Sequence, residues 1–509
     1  MSREHRATLA AAAVMLAAAV LLSVPAALGP LRLNDSFWID LVWLEQFARE
    51  LAHGTLYPRW LPLSHNGLGS PVFYYYPPLA FYLGGLFVFA GVSTYSALVG
   101  TFFAANLLSG LGVYSWLRDQ SPRALAASLL FMAAPYHLFD FYQRGAAAEV
   151  VATAFLPFVL LGIHRMVEGR RFGFVQVALA YAALLVSHLP LALLASLFLF
   201  APYALLKSDR SLPVLLRIAA AFGASILVAA IYLVPAIALE PYRSSSDLWA
   251  LPYLRPAYWT VWRASLWDVP TFKAMLIVAG GLAAAIIALL VRLRSGWGIW
   301  ALICTAISVG AIPFLWSLPL LSSVQFPFRL LPVAELAFVT AVAFAPKGRV
   351  PWFVICAMLL VMARLITTAA SDSPDFGDAM IRRYHPDVPE NLPPGKRPYS
   401  WPSKWALQLA VSHRQPQFDG GVTVEPVFYF PAWQVRCGGQ VVPSYPDPQT
   451  ELLSYRGRGC SRTLVWTTAE KTGAWISLLA LLGLISFWLS PSLLARHRWR
   501  HRESLPRNT

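Results

Sequence analysis

Apolar residues in this chain come in long unbroken runs, not in the narrow stripe of a water-soluble helix or the alternation of a half-buried strand. Ala7–Ala27, Met275–Val291 and Trp352–Leu365 approach or exceed the ~20 residues that one helix needs to cross about 30 Å of hydrocarbon. Lipid offers a backbone amide no partner, so such runs must be helical, and the alternating pattern of a membrane barrel is absent. Polar interruptions place the spans at approximately 7–29, 96–117, 123–139, 149–167, 172–188, 190–206, 213–239, 273–292, 296–316, 329–346, 351–369 and 474–494. That makes about twelve crossings. One apolar stretch, Pro77-Pro78-Leu79 to Ala90, has the length of an interfacial or re-entrant segment and is read as a juxtamembrane helix.

Composition agrees: 57% of the 509 residues are hydrophobic and 13% charged, where a soluble domain carries about 25% charged residues. The formal charge of +15 does not mark a nucleic-acid binder, because Lys and Arg fall in short clusters between the apolar runs. These are Arg3 to Arg6, Arg118 to Arg123, Arg165 to Arg171, Lys207 to Arg210, Arg292 to Arg294, Lys347 to Arg349 and Arg496 to Arg502. Placed inside, they put both termini in the cytoplasm and retain the first run as a span instead of a cleaved signal. Three external segments result, at 30–95, 240–272 and 371–473. The expected organisation is a bundle over 1–370 carrying the external loop 30–95, an extracytoplasmic Pro-rich and β-rich domain at 371–473, a last span at 474–494 and a basic cytoplasmic tail at 495–509.

Candidate chemistry gathers on the external side. The first loop reads Leu33-Asn34-Asp35-Ser36-Phe37-Trp38-Ile39-Asp40, then an amphipathic stretch, then Leu56-Tyr57-Pro58-Arg59-Trp60 and an aromatic belt that includes Tyr76. Asp35 and Asp40 stand beyond the end of the first span, where a carboxylate either solvates a helix end or acts as a general base on a hydroxyl. Tyr136, His137, Asp140, Arg144 and Glu149 cluster where the third span emerges. Ionisable groups at membrane depth are costly and signal function or pairing, so Arg144 with Asp140 or Glu149 is either a binding group or a structural ion pair. In Gln325-Phe326-Pro327-Phe328-Arg329 the Arg either grips a phosphate through paired N–H groups or snorkels at a helix start. His188 reads as a packing or capping residue.

The second half of 371–473 alternates, as in Val422-Thr423-Val424 and Val427-Phe428-Tyr429-Phe430, and predicts a small β-sandwich. Cys437 and Cys460 lie in it and are candidates for a disulfide, whereas Cys304 and Cys356 sit in spans as apolar fillers. A Walker loop, a dinucleotide fingerprint, HExxH, CxxC and GxSxG are all missing. ATP-driven transport and nucleotide cofactors are therefore not expected.

Several of these residues carry a resemblance. Leu44 to Leu51, Gly54, Leu56-Tyr57-Pro58-Arg59-Trp60, Gly67 to Gly69, Pro71, Phe73 and Tyr76-Pro77-Pro78-Leu79 look like bacterial membrane proteins described as related to 6-pyruvoyl-tetrahydropterin synthase, whose architecture is similar to that of the GT-C glycosyltransferases. Ala134-Pro135-Tyr136, Arg144-Gly145 with Glu149, and Gln325 to Arg329 extend the likeness. Tyr429-Phe430-Pro431-Ala432-Trp433 also resembles YfhO-like membrane proteins. The resemblance implies an all-α polytopic membrane protein of GT-C type with a small β-rich domain, using a sugar donor carried on polyprenyl phosphate. It further implies a first-loop Asp as catalytic base, Asp35 or Asp40; the candidate substrate-binding residues are Arg59, Tyr76, His137, Asp140, Arg144, Glu149 and Arg329. A divalent metal near Glu149 is compatible with it. A pterin is not expected, since the ten His residues show no clustered zinc signature. The expected function is lipid-linked-sugar glycosyl transfer at the periplasmic face of a bacterial inner membrane, with membrane lipids and the donor as partners and no nucleic acid. The alternatives are a lipid or polysaccharide transporter and a non-catalytic envelope assembly protein.

Overall fold

The computed structural model describes residues 3–28, 36–244, 249, 251–372, 385, 387–395 and 403–490. Asp35 and the tail 495–509 lie outside the described residues. The chain is a multi-pass helical membrane protein with a small antiparallel β domain before its last helix. Among the described residues eight helices are long and apolar enough to cross a membrane, and a bent pair makes up to nine. Phe172–Leu185, Gly296–Ser308 and Trp352–Arg364 are apolar but shorter. Counting them as crossings restores the expected twelve. Leu79–Phe89 has 11 residues and packs along Phe37–Ala52.

Two expected straight spans are broken: one restarts at Pro135, and the other bends at Ala229, six residues before Pro235. Between Leu212–Val228 and Ala230–Ala238 the axis turns by 68°. Pro235 has no amide to donate back to Ile231, and the Ile231 carbonyl instead accepts from Arg59 Nη2 at 2.8 Å. Arg59 Nε also meets Glu470 of the last helix at 3.0 Å, with the guanidinium 3.7 Å above the Tyr57 ring. The third span is Ala124–Met132, then Pro135–Phe139, then a π turn over Asp140–Arg144. It thus runs to Arg144 instead of ending near 139, which places Asp140 and Arg144 in its last turn and not in a loop.

The β domain follows a helix, Lys404–Ser412, that the Pro-rich composition upstream concealed. Its strands are β1 (Gln417–Asp419), β2 (Val422–Phe428), β3 (Trp433–Cys437), β4 (Gln440–Val442), β5 (Ser444–Pro446), β6 (Leu452–Arg456) and β7 (Ser461–Leu464). They form two antiparallel sheets, β1-β2-β6-β5 and β4-β3-β7. The β2–β6 register shifts between Val424 and Phe428, where Pro426 cannot donate to the ladder. Val435, Leu452 and Phe430 are buried in the domain's core, and Cys437 and Cys460 form a disulfide. Cys304 is buried as expected, but Cys356 is exposed, because its side of the helix Trp352–Asp372 faces outward.

The β domain is docked on the first loop. Phe428 N donates to Leu68 O at 2.8 Å, and Trp60 packs against Trp433 and Phe430. Gly69, at φ +79°, passes directly under the Trp60 indole, where a Cβ would overlap the ring.

Candidate active site

Asp40 sits in the first turn of the helix Phe37–Ala52, whose apolar face is buried against the bundle. Gly145 brings it to the spans. This residue ends the π turn in the left-handed region, at φ +62°, and a Cβ on it would overlap that of Phe37. Without a side chain, the two segments close until Ser36 N donates to Arg144 O at 2.8 Å. Asp40 Oδ2 then accepts from Ala147 N at 3.0 Å, so the carboxylate caps the helix that begins at Ala147. Asp40 Oδ1 is buried with no hydrogen-bond partner. Burial pushes this carboxyl up to about 7, opposed in part by the Ala147 amide and by Arg144.

Beside Asp40 lies a cavity of about 480 Å³. Asp40, Tyr76, Arg144 and Arg329 all line it, so four of the residues expected from the sequence converge. Trp43 meets the Tyr76 ring edge-on at 4.9 Å. Behind the cavity wall Glu149 fixes the arginines: Arg144 Nη1 donates to its Oε2 at 2.8 Å, the Tyr136 hydroxyl donates to its Oε1 at 2.8 Å, and Arg329 Nε lies 3.5 Å away. Asp140 Oδ1 takes Arg144 Nη1 at 2.5 Å. Arg329 Nη1 also donates to Val324 O at 2.8 Å and Gln325 Oε1 at 3.1 Å. Asp140 and Glu149 therefore do not line the cavity themselves. They offset the cost of burying two guanidiniums and hold both in place.

Arg59 and His137 lie away from the cavity. Arg59 does not line the cavity, because the freed Ile231 carbonyl and Glu470 occupy it. His137 does not reach the cavity either; its Nδ1 faces Glu335 Oε2 at 3.7 Å, and Glu335 Oε1 accepts from Tyr136 N at 2.6 Å, at the start of the helix restarted by Pro135. His188 does cap, as read from the sequence, with Nδ1 accepting from Leu191 N at 3.2 Å.

The far wall was not anticipated. Arg243 and Glu390 both line the cavity. They are brought together because Ser244 N donates to Leu392 O at 2.9 Å and Ser244 Oγ to Pro393 O at 2.8 Å. Asp387 ties the same segment to the first loop by accepting from Trp43 Nε1 at 3.1 Å. Glu390 keeps some exposure toward the cavity, yet the surrounding protein pushes its carboxyl up to about 7. Arg243 lies 4.6 Å above the Tyr75 ring. The two arginines of the Arg144–Arg329–Asp140–Glu149 set are balanced by two acids in formal charge. Arg243 therefore adds a positive charge to a cavity whose other two acids, Asp40 and Glu390, hold protons up to near neutrality.

Glu149 does not fit as a metal ligand, since both its oxygens are already engaged. Among the described residues no three His, Cys, Asp or Glu side chains are grouped as ligands would be.

Residues 73–373, well over half of the chain, match the 6-pyruvoyl-tetrahydropterin synthase related domain, a membrane protein. The chain belongs to this family. The matched region of this 6-pyruvoyl-tetrahydropterin synthase related protein contains Tyr76, Arg144, Arg243 and Arg329, while Asp40 and Glu390 flank it. No curated protein matches the chain. Among solved structures, the arabinofuranosyltransferase AftD from mycobacteria and a mutant form of it are similar at 17% identity, with TM-scores of 0.43 and 0.44. The match covers 73% of this chain and 27% of theirs, so the chain spans about a quarter of the length of those proteins.

Proposed function

We propose that the cavity transfers a glycosyl group from a polyprenyl-phosphate-linked donor to an acceptor hydroxyl at the extracytoplasmic face of the membrane. The observation that carries this reading is the environment of Asp40: one oxygen fixed on Ala147 N, the other unpartnered, on the wall of a cavity that also holds Arg144 and Arg329. In this scheme Asp40 Oδ1 takes the acceptor's hydroxyl proton as the acceptor oxygen bonds to the anomeric carbon. The bond from that carbon to the phosphate oxygen breaks, and the phosphate leaves with the electron pair. Arg329 and Arg144, held rigidly by Glu149, stabilise the charge that develops there. A base is most effective when its pKa lies near the working pH, and burial brings Asp40 there.

Orientation follows from the basic clusters. Arg123 donates to Ala345 O and Arg349 to Arg292 O, which puts those three loops on one face of the bundle, and Arg171 donates to Ser490 O at the end of the last helix. The cavity and β domain lie at the opposite ends of the same helices. With basic loops inside, the site faces the periplasm of a bacterial inner membrane.

The test is incubation of the purified protein with a panel of polyprenyl-phosphate pentoses and hexoses, reading sugar-free lipid by mass spectrometry. Release of the lipid with transfer to a hydroxyl acceptor is expected. Tight binding of every donor without turnover contradicts the proposal and favours a transporter.

A further inference from the structure

On the face that carries the basic loops, away from the cavity, the helical run Leu189–Lys207 opens into a π turn at Ser196–Phe200. In the widened turn the Phe198 carbonyl accepts from Trp300 Nε1 at 2.7 Å, from the helix Gly296–Ser308. Pro202, just beyond, has no amide, and Gly296 opposite it has no side chain. The two helices stand apart around a groove of about 720 Å³. Leu199, Leu206, Trp297 and Trp300 contribute to its walls, which are almost wholly apolar, and Lys207 and Arg210 stand at its end. Arg292 and Arg294 lie on the adjoining loop, also exposed, and the exposed Asp209 does not line the groove. The local charge is therefore positive where the groove meets the membrane surface.

Water is a poor occupant of an apolar groove opening between lipid-facing helices, and tryptophans paired with basic side chains are the usual lining at head-group level. We propose that this groove is a binding site for an anionic glycerophospholipid of the bilayer, with an acyl chain along Trp297 and the exposed Leu206 and the phosphate head group on Lys207 and Arg210. The site is independent of the transfer reaction.

Native mass spectrometry of the full chain with phosphatidylglycerol and phosphatidylcholine of identical acyl chains tests it. The wild type is expected to retain phosphatidylglycerol about 30-fold more tightly, at roughly fivefold for each basic side chain. The Lys207→Gln/Arg210→Gln variant is expected to retain both lipids equally, its phosphatidylcholine binding showing that the groove is intact. Leu206→Trp, which narrows the groove from an exposed position, should lose both. Equal retention of the two lipids by the wild type, an unchanged preference in the double variant, or unchanged binding in Leu206→Trp overturns the proposal.

Discussion

Asp40→Asn is expected to stabilise the protein at alkaline pH. The wild-type carboxyl is moved from 3.8 to about 7, chiefly by burial. At about 1.4 kcal/mol per pH unit, ionising it in the folded state costs roughly 4 kcal/mol more than in the unfolded chain. The folded state therefore binds a proton that the unfolded chain has released between pH 3.8 and 7. This contribution to stability is fully present below the lower value and is lost as pH rises through the upper one. Asparagine keeps an oxygen for Ala147 N, turns its amide toward the cavity and carries no charge. Asp40→Asn should thus match the wild type at pH 4 and exceed it by up to about 4 kcal/mol at pH 8, a rise on the order of 5 °C in unfolding temperature for a chain this long. Thermal unfolding of both proteins in one detergent at pH 4, 6 and 8 gives the comparison. A variant less stable than the wild type at pH 8, or a difference that does not grow with pH, refutes the reasoning.

Gly145→Ala should cost roughly 2–5 kcal/mol, combining the left-handed backbone with the overlap on Phe37, and should depress transfer by displacing Asp40; denaturant titration and turnover check the two effects. Glu149→Gln leaves Arg144 and Arg329 short of a carboxylate in a buried site and should cost about 3–5 kcal/mol, measured as a lowered unfolding temperature, whereas Glu168→Gln on the basic face should change it little. Removing Cys437 and Cys460 opens a loop of 23 residues' separation and should cost about 2–4 kcal/mol, seen as faster proteolysis of the β domain with the bundle intact. For the wild type, turnover should rise as pH increases through about 7 and then level, because Asp40 acts only when deprotonated.

The helical class was legible because run length against bilayer thickness leaves few alternatives, and the alternation from Val422 to Phe430 marked the β domain for a similar reason. Half of the site was legible too. Tyr76, Arg144 and Arg329 are polar groups interrupting apolar or aromatic sequence, and such groups require a reason. Sequence could not say which reason applied. Arg59 has the same setting, but its partner is a carbonyl 172 residues away, freed by a proline. His137 is claimed by Glu335, a carboxylate inside an apolar run and so itself a visible signal. Arg243 and Glu390 lie in irregular, Pro-rich segments with no periodicity to give them a direction. The tertiary hydrogen bonds of Ser244 bring them together.

Release of polyprenyl phosphate from its sugar conjugate at pH 8, by wild type and by the folded Asp40→Asn variant, tests the central claim most directly. The account predicts turnover in the wild type and a loss of about 10²–10⁴-fold in the variant, the range for removing a general base. Equal turnover in the two proteins would contradict it.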